Sequence, residues 1–424
     1  MANARLIAVN ALIKVNKENA YSNITLDKYL SDADISDKDK ALATTLFYGV
    51  LDRKITIDYV ISRFSKTPVK KLSPITAEAI RIAIYQLMFL ERIPESAAVN
   101  ESVNIVKRSK EARNSGFVNA VLRNIIRNPV ELPSGDSVKE LSVRYSCPEW
   151  IIESFIADYG KENAVELLKS GNEAPPVILR VNTLKTDAKG LITALLEEGL
   201  TAREHEFIEN ALVLENGFDI RKSELYKRGF YHIQDTASQT VVTKLSLKSG
   251  ERVLDLCAAP GGKSFTMAEI MEDKGEIVSC DLYEKRVNLI ENGAKRLGLS
   301  AIKPQVSDAT VFNKELSLFD AILCDVPCSG LGVLRRKPEI KYKNIEDFTE
   351  LQKIQREILS KAVNYLKENG RILYSTCTLR RAENEEMIAD FLKDNKNFTL
   401  EYEHTFMPHI DGTDGFYCAL LYKK

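Results

Sequence analysis

The feature that most constrains this chain is a strict alternation of short apolar runs with helical segments, which starts at Ser249 and continues to Cys377. Runs of strand length alternate with segments of helical periodicity along RVLDLC, SFTMAEIMED, EIVSCD, EKRVNLIENGAKRLG, AIKPQVSD, FDAILCD, EDFTELQKIQREILSKAVNYLKENG and RILYSTC. This order is typical of a doubly wound, Rossmann-like α/β domain. Ligands of such domains bind beyond the carboxyl ends of the strands, so the residues that follow each strand are the candidate site.

Acidic, glycine and cysteine residues occupy these strand ends. The first strand leads into Gly261 and Gly262, which let the backbone approach a ligand closely and aim the amides of the next helix at it. Asp281 ends the second strand, where an acidic residue is placed to bond ribose hydroxyls. The pattern predicts a nucleotide-type ligand beside the strand ends at 255–263, 281, 308, 325–330 and 375–378.

A phosphate-binding P-loop is a rival interpretation, because Gly262, Lys263 and Ser264 match the last three positions of that motif. The motif also needs a glycine five positions before Gly262, where this chain has Cys257. In addition, Pro260 lacks an amide hydrogen that could bind phosphate. The spacing therefore disfavours a P-loop.

The N-terminal third is predicted to be all helical. Apolar residues repeat there at three-and-four spacing, and start signals such as Ser36 and Ser73 precede the repeats. The predicted helices are 4–16, 37–63, 73–90, 97–109 and 116–127. Residues 1–128 carry 20 Lys and Arg against 13 Asp and Glu, whereas the rest of the chain carries 39 against 47. A basic N-terminal domain fits nucleic-acid binding, and a plain solvated surface is the alternative.

Two changes in composition divide the chain. Turn-forming residues concentrate in NPVELPSGD at 128–136, which suggests a linker. After helical patterning over 138–168, the strand-like runs VILRVNT and ALVLE flank the helical DAKGLITALLEEGL and indicate a small α+β module. We expect three domains: the helical domain over 1–130, a helical linker with the small RRM-like module over 131–235, and the α/β domain over 236–424.

Cysteine and histidine usage argues against a disulfide framework and a zinc ribbon. The seven cysteines are odd in number and form no CxxC pair, and the four histidines are scattered. We therefore expect free thiols, no metal and a cytoplasmic location. No apolar run reaches bilayer length, and the N-terminus lacks the layout of a secretory signal, so no membrane association is expected.

Several motifs resemble those of the RsmB/NOP family of RNA cytosine-5 methyltransferases. CAAPGGK, DVPCSG and STCT resemble its cofactor and cysteine motifs, and RVNTLK and GFYHIQDTASQ resemble segments that precede them. LFYGVLDRK, AAVNESV and GFVNAVLR resemble the NusB-like domain of bacterial members that modify 16S ribosomal RNA. The resemblance covers essentially the whole chain. Valine in DVPC and the final threonine in STCT depart from the commoner residues but remove no reactive group.

The resemblance implies S-adenosylmethionine-dependent methylation of carbon 5 of a cytosine in 16S ribosomal RNA by a monomer whose N-terminal domain binds RNA. In its terms Cys377 is the nucleophile, Cys328 assists release, and Asp325 faces both the target base and the cofactor. Asp281 would bind the ribose and Asp308 would lie beside the adenine. The methionine moiety would contact the loop Cys257, Ala258, Ala259, Pro260, Gly261, Gly262 and Lys263.

The chemistry of cytosine gives a reason for two thiols. Carbon 5 is a poor nucleophile until a thiolate adds to carbon 6, and that bond must later be broken after a base removes the proton at carbon 5. Lys263 is expected to favour a thiolate, although the sequence does not say at which cysteine. Cysteines at strand ends are more often packing residues, the interpretation kept for Cys147, Cys280, Cys324 and Cys418. Two alternatives stay open: the same chemistry on transfer RNA, and an RNA-binding assembly factor without catalysis.

Overall fold

The computed structural model describes residues 3–18, 22–217, 219–316, 318–343 and 345–424. They divide into two compact units. The first contains the chain up to Glu173 together with Leu334–Lys343, and the second contains Ala174–Val333 together with the C-terminal residues that follow. Among the described helices, none combines the length and the apolar character that a membrane span requires. The domain boundaries expected at 130 and 235 stay predictions.

The first unit is helical, as predicted for the N-terminal third. Ser36 caps one helix by accepting a hydrogen bond from the Asp39 amide, whereas the Ser73 hydroxyl bonds the Thr76 side chain instead of a backbone amide. The helices are α1 (Ala4–Glu18), α2 (Ser22–Ser31), α3 (Asp37–Phe64), α4 (Pro74–Phe89), α5 (Glu95–Lys107), α6 (Ser115–Arg127), α7 (Val138–Tyr145) and α8 (Glu149–Ser170). Helix α2 was not among the predicted helices. Apolar side chains of α1 to α6 form the core of this unit, among them Leu12, Leu46, Phe47, Ile80, Val99 and Leu122.

A short 3-10 turn from late in the sequence, Pro338–Tyr342, also belongs to this unit. Lys341 Nζ lies 2.7 Å from Asp52 Oδ1 in α3, and the Tyr342 hydroxyl donates to the Leu51 carbonyl at 2.8 Å. Lys341 is only 3% exposed, so its ion pair is largely shielded from water. The turn is therefore bonded to the helical unit and packs as part of it.

The second unit begins with a small antiparallel sheet in the order β2-β3-β1-β4. Its elements are β1 (Val177–Val181), α9 (Ala188–Glu197), β2 (Ala202–Glu204), β3 (Ala211–Leu214), α10 (Glu224–Lys227) and β4 (Tyr231–Ile233). The predicted runs correspond to β1, α9 and β3. Asn182 follows β1, and its side-chain Nδ2 donates to the backbone carbonyls of Gly229 and Leu297, both at 2.9 Å. These bonds join the small sheet to the α/β part of the unit.

A seven-stranded sheet in the order β10-β11-β9-β8-β5-β6-β7 forms the rest of the second unit. Strands β5 to β9 pair in parallel, while β10 and β11 are antiparallel additions at one edge. The elements are α11 (Thr236–Thr243), β5 (Arg252–Asp255), α12 (Gly262–Ile270), β6 (Glu276–Asp281), α13 (Glu284–Leu297), β7 (Ile302–Val306), β8 (Phe319–Asp325), α14 (Glu346–Ala362), β9 (Leu366–Thr376), α15 (Glu385–Asp394), β10 (Phe398–Phe406), α16 (Pro408–Asp411) and β11 (Phe416–Lys423). The Rossmann-like prediction is confirmed.

The predicted helix over 346–370 is too long and needs correction. Helix α14 ends at Ala362, and β9 begins at Leu366, where it pairs with Phe319 of β8. Asn369 has a φ of 61°, in the left-handed region, and Gly370 follows it. The left-handed conformation of Asn369 does not continue a right-handed helix, and it lies where the pairing of β9 with β8 shifts register between Leu366 and Arg371.

Candidate active site

Parallel pairing brings the predicted strand ends to one edge of the large sheet. Asp325 at the end of β8 lies opposite Ser375 in β9, and Asp255 at the end of β5 lies opposite Ser279 in β6. The loops that follow these strands therefore start side by side. This is the edge at which doubly wound sheets bind ligands.

The loop between β5 and α12 makes a sharp turn that requires glycine. Gly261 has a φ of 112°, and a Cβ on it would lie 2.3 Å from Cζ of Phe265. Gly261 is also the N-cap of α12, which begins at Gly262, and it has no side chain with which to cap the helix. The first amides of α12 thus remain available to an anionic group.

Asp281 ties this loop to β6. Its carboxylate accepts from the Ala259 amide at 3.3 Å and lies 3.3 Å from Arg286 Nη1, although the residue is only 3% exposed. Arg286 Nη2 donates in turn to the Ala259 carbonyl at 3.0 Å. Arg286 was not among the site residues predicted from the sequence, where its signal is its position in the first turn of the helix that follows Asp281.

Asp308 follows β7 and is exposed. Its Oδ1 accepts from both the amide and the hydroxyl of Thr310, at 2.9 Å and 2.7 Å. The structure thus gives Asp308 a local partner, and a role beside an adenine stays a prediction.

A buried polar chain connects β5, α12 and β6. Ser279 donates to the Ser264 hydroxyl at 2.8 Å, and Ser264 donates to Asp255 Oδ2 at 2.7 Å. Asp255 is 1% exposed, and burial raises the pKa of its carboxyl group to about 7. Asp255 therefore orders the start of the loop from within the core.

The two cysteines singled out by the sequence lie together. Cys328 follows β8, Cys377 follows β9, and their Sγ atoms are 3.1 Å apart, with both residues partly exposed. The hydrogen bond with Cys377, then burial and the charges of Cys377 and Glu383, hold the pKa of the Cys328 thiol well above its usual value. The cysteines predicted to be packing residues are buried: Cys147, Cys280, Cys324 and Cys418.

An ion pair lies beside the thiols. Lys263 Nζ is 2.7 Å from Asp325 Oδ2, and the Ser375 hydroxyl donates to Asp325 Oδ1 at 2.8 Å. The ammonium group also lies 4.9 Å from the centroid of the Phe416 ring. Burial lowers the pKa of Lys263, but the charge of Asp325 and its hydrogen bond outweigh burial, Cys377 adds to them, and the net pKa is raised. Lys263 therefore stays protonated, and its charge interacts with Cys377. The sequence had left open which cysteine this lysine affects.

The site combines a pair of thiols, a half-buried cation paired with a carboxylate, and a glycine loop with an uncapped helix. Within the described ranges, no group of three or more His, Cys, Asp or Glu side chains could hold a metal ion. Such a site suits nucleophilic chemistry by a thiolate next to a bound anionic or nucleotide-like molecule.

Comparisons with known proteins match family models to three parts of the chain. The family model described as 16S rRNA methyltransferase RsmB/F matches residues 242–422, the NusB family matches 2–127, and the ferredoxin-like domain of RsmF/B-like methyltransferases matches 147–221. The crystal structure of the protein PH0851 has a TM-score of 0.85 at 26% identity and covers 100% of this chain and 99% of its own.

Two curated relatives match along their whole length. The probable ribosomal RNA small subunit methyltransferase B of Bacillus subtilis (strain 168) is 38% identical over 99% of this chain and 98% of its own. The probable ribosomal RNA small subunit methyltransferase B of Synechocystis sp. (strain ATCC 27184 / PCC 6803 / Kazusa) is 32% identical over 100% of both chains. The chain therefore belongs to the RsmB/F methyltransferase family, as a member with an N-terminal NusB domain.

Proposed function

We propose that the chain methylates carbon 5 of a cytosine in 16S ribosomal RNA, with S-adenosylmethionine as the methyl donor. The observation that carries this proposal is the 3.1 Å approach of the Cys328 and Cys377 sulfur atoms beside the Lys263 and Asp325 pair. The names of the relatives and of the matching family support ribosomal RNA as the substrate. Carbon 5 chemistry is supported by the need of that reaction for a nucleophile and a separate release group.

The residues at the strand ends fit S-adenosylmethionine. The uncapped N-terminus of α12 suits its carboxylate, and Asp281 at the end of β6 suits ribose hydroxyls. In this proposal the loop from Cys257 to Lys263 holds the methionine moiety and Asp308 lies near the adenine. When bound, S-adenosylmethionine supplies an electrophilic methyl group.

Cys377 makes the first bond in this proposal. Its thiolate is favoured by the Lys263 cation and by a hydrogen bond from the Cys328 thiol. The sulfur adds to carbon 6, and the electron pair of the ring double bond moves toward carbon 5, which becomes nucleophilic. Asp325, fixed by Lys263 and Ser375, faces the amino edge of the base and promotes this shift.

Cys328 completes the reaction. Once the Cys377 sulfur is bonded to carbon, it carries no negative charge and no longer accepts the Cys328 proton. Two of the causes that raise the pKa of Cys328 then disappear, so this thiol can lose its proton to solvent and act as the base. After carbon 5 has bonded the methyl group and the donor has left as S-adenosylhomocysteine, Cys328 takes the proton from carbon 5, the ring double bond forms again, and Cys377 leaves as a thiolate.

The target cytosine must be unstacked, because a thiolate cannot reach carbon 6 inside a helical stack. The experiment that tests the proposal incubates the full-length protein with tritiated S-adenosylmethionine and, separately, 16S ribosomal RNA and transfer RNA that lack the modification. Nuclease digestion and chromatography should place the label in 5-methylcytidine from 16S RNA. Label in another nucleoside, or in transfer RNA alone, contradicts the proposal, and no transfer at all favours a binding factor.

A further inference from the structure

The peptide groups on both sides of Cys328 are held by two buried side chains. Gln355 Nε2 in α14 donates to the Pro327 carbonyl at 2.9 Å. Glu383 Oε2 accepts from the Ser329 amide, also at 2.9 Å. The two holders are themselves joined, because Gln355 Nε2 donates to Glu383 Oε2 at 2.9 Å. Cys328 therefore stands between two fixed points of its loop.

The residues on both sides of Cys377 are held in a similar way by Asn384, which follows Glu383 in the chain. The Thr376 hydroxyl donates to Asn384 Oδ1 at 2.6 Å, and Asn384 Nδ2 donates to the Thr378 carbonyl at 3.0 Å. A bond of 2.7 Å between the Ser329 and Thr378 hydroxyls links the two cysteine loops directly. The adjacent residues 383 and 384 thus hold one loop each.

These three holders are completely buried: Gln355, Glu383 and Asn384 are all 0% exposed. Burying polar side chains is unfavourable unless they are bonded, so an apolar core would be the simpler choice for packing alone. Three of the bonds made by these side chains instead reach backbone groups next to the cysteines. The orientation of the Gln355 amide is also defined, since its nitrogen faces two acceptors and a flipped oxygen would be repelled by both.

We propose that Gln355, Glu383 and Asn384 are positioning residues that set the approach of the Cys328 and Cys377 thiols. This inference rests on the proposed function for its meaning in catalysis, but the geometry that it concerns can be measured without RNA or methyl donor. In the proposal, Gln355 and Glu383 govern release through Cys328, and Asn384 governs attack through Cys377.

Glu383 has a second effect, through its charge. Its negative charge adds to the hydrogen bond from Cys377 and to burial in raising the pKa of the Cys328 thiol. Arg380 Nη1 lies 3.3 Å from Glu383 Oε1 and compensates part of that charge. Glu383 therefore helps to keep Cys328 protonated before attack.

The first test compares Gln355→Leu and Asn384→Leu with a matched control, Gln239→Leu. Gln239 is also 0% exposed and its Nε2 also donates to a backbone carbonyl, that of Gln234 at 2.9 Å, but not in a cysteine loop. Phenylarsine oxide serves as the probe, because one arsenic condenses with two adjacent thiols, forming two arsenic–sulfur bonds and releasing one water. Cys328→Ala gives the background from single thiols.

We expect capture of the thiol pair to slow by roughly tenfold or more in both loop variants and to match the wild type in Gln239→Leu. Wild-type rates in folded Gln355→Leu and Asn384→Leu would overturn the inference. Thermal unfolding identifies folded variants. If leucine prevents folding, Gln355→Asn and Asn384→Ser, which keep a polar group but shorten its reach, replace the leucine variants with the same expectation.

The second test separates the two loops by the step that each affects. Gln355→Leu should accumulate RNA bound covalently to the protein, because release slows, whereas Asn384→Leu should lower single-turnover methylation without such an adduct. Identical effects of the two substitutions contradict the assignment of one holder to each loop. If Cys377→Ala still methylates RNA, the proposed mechanism fails, while the arsenical result remains a separate measure of thiol positioning.

Discussion

The sulfur atoms of Cys328 and Cys377 lie 3.1 Å apart although the two residues are 49 positions apart in the chain. They meet because β8 and β9 pair in parallel and the loops that follow these strands start from the paired residues Asp325 and Ser375. At this distance the Cys328 thiol can donate to a Cys377 thiolate. One contact therefore stabilises the nucleophile and keeps the second thiol protonated until the nucleophile has reacted.

Replacing Lys263 with Met should slow the first step. The substitution removes the cation beside Cys377 and leaves Asp325 without its ion-pair partner, so less thiolate is present at neutral pH. We expect the rate of single-turnover methylation by Lys263→Met to be lower by on the order of a hundredfold at neutral pH. The rate should recover partly as the pH is raised. Lys274→Met, at an exposed ion pair, is the control. A loss that stays the same at all pH values would argue against thiolate stabilisation by Lys263.

Replacing Asp255 with Asn should change how stability depends on pH. Burial raises the pKa of Asp255 from 3.8 to about 7, so the folded protein binds this proton more tightly than the unfolded chain. The resulting stability is complete below about pH 4 and is lost as the pH rises through about 7. Relative to Asp255→Asn, the wild type should lose on the order of 2 kcal/mol of unfolding free energy between about pH 5 and about pH 8.

Chemical denaturation at several pH values measures this difference. Asp187→Asn is the control, because Asp187 is exposed at the N-cap of α9 and asparagine caps equally well. Parallel stability curves for the wild type and Asp255→Asn would mean that Asp255 titrates alike in the folded and unfolded states.

Replacing Gly261 with Ala should weaken binding of S-adenosylmethionine. The new Cβ would meet the Phe265 ring at 2.3 Å, at a φ of 112° that side chains rarely adopt, so the loop must shift. We expect the dissociation constant to rise by about tenfold or more, as measured by calorimetric titration. Gly116→Ala is the control, since nothing lies within 4 Å of its Cβ. Equal affinity in the wild type and Gly261→Ala would exclude this loop from the binding site.

The sequence predicted those parts of the fold that have a local signal. Buried parallel strands are continuous apolar runs, so β5, β6 and β8 stand out, and the amphipathic repeats of α3 and α4 do as well. Strands β2 and β4 have three residues each, too few to show a period. The turn at Pro338–Tyr342 could not be predicted, because its partner Asp52 lies 289 residues before Lys341.

The candidate site also has residues that the sequence predicts and residues that it does not. The reactive residues carry motifs, and the strand order then brings them together. Glu383 lies in the charged stretch RAENEE, a pattern typical of the solvent-exposed start of a helix. The Glu383 side chain is nevertheless completely buried. Only the tertiary contact with Ser329 and Gln355 reveals why an acid is present there.

Replacing Cys377 with Ala should abolish both methylation and covalent attachment of RNA, because Cys377 forms the bond to carbon 6 in the proposed mechanism and Cys328, the other thiol of the pair, acts in release. The measurement is methyl transfer to 16S ribosomal RNA, with folding checked by thermal unfolding. Cys418→Ala, at a buried cysteine in β11, is the control and should retain transfer. Activity in Cys377→Ala would assign the attack to a different residue.

The most direct test of the account is the fate of RNA on the Cys328→Ala variant. Labelled 16S ribosomal RNA is incubated with this variant and S-adenosylmethionine and then analysed by denaturing gel electrophoresis. We predict a labelled protein–RNA band that resists denaturant, which the wild type forms only transiently and which disappears when Cys377 is also replaced. Efficient turnover by Cys328→Ala without a trapped band, or a band that persists in the double variant, would contradict the division of attack and release between these two cysteines.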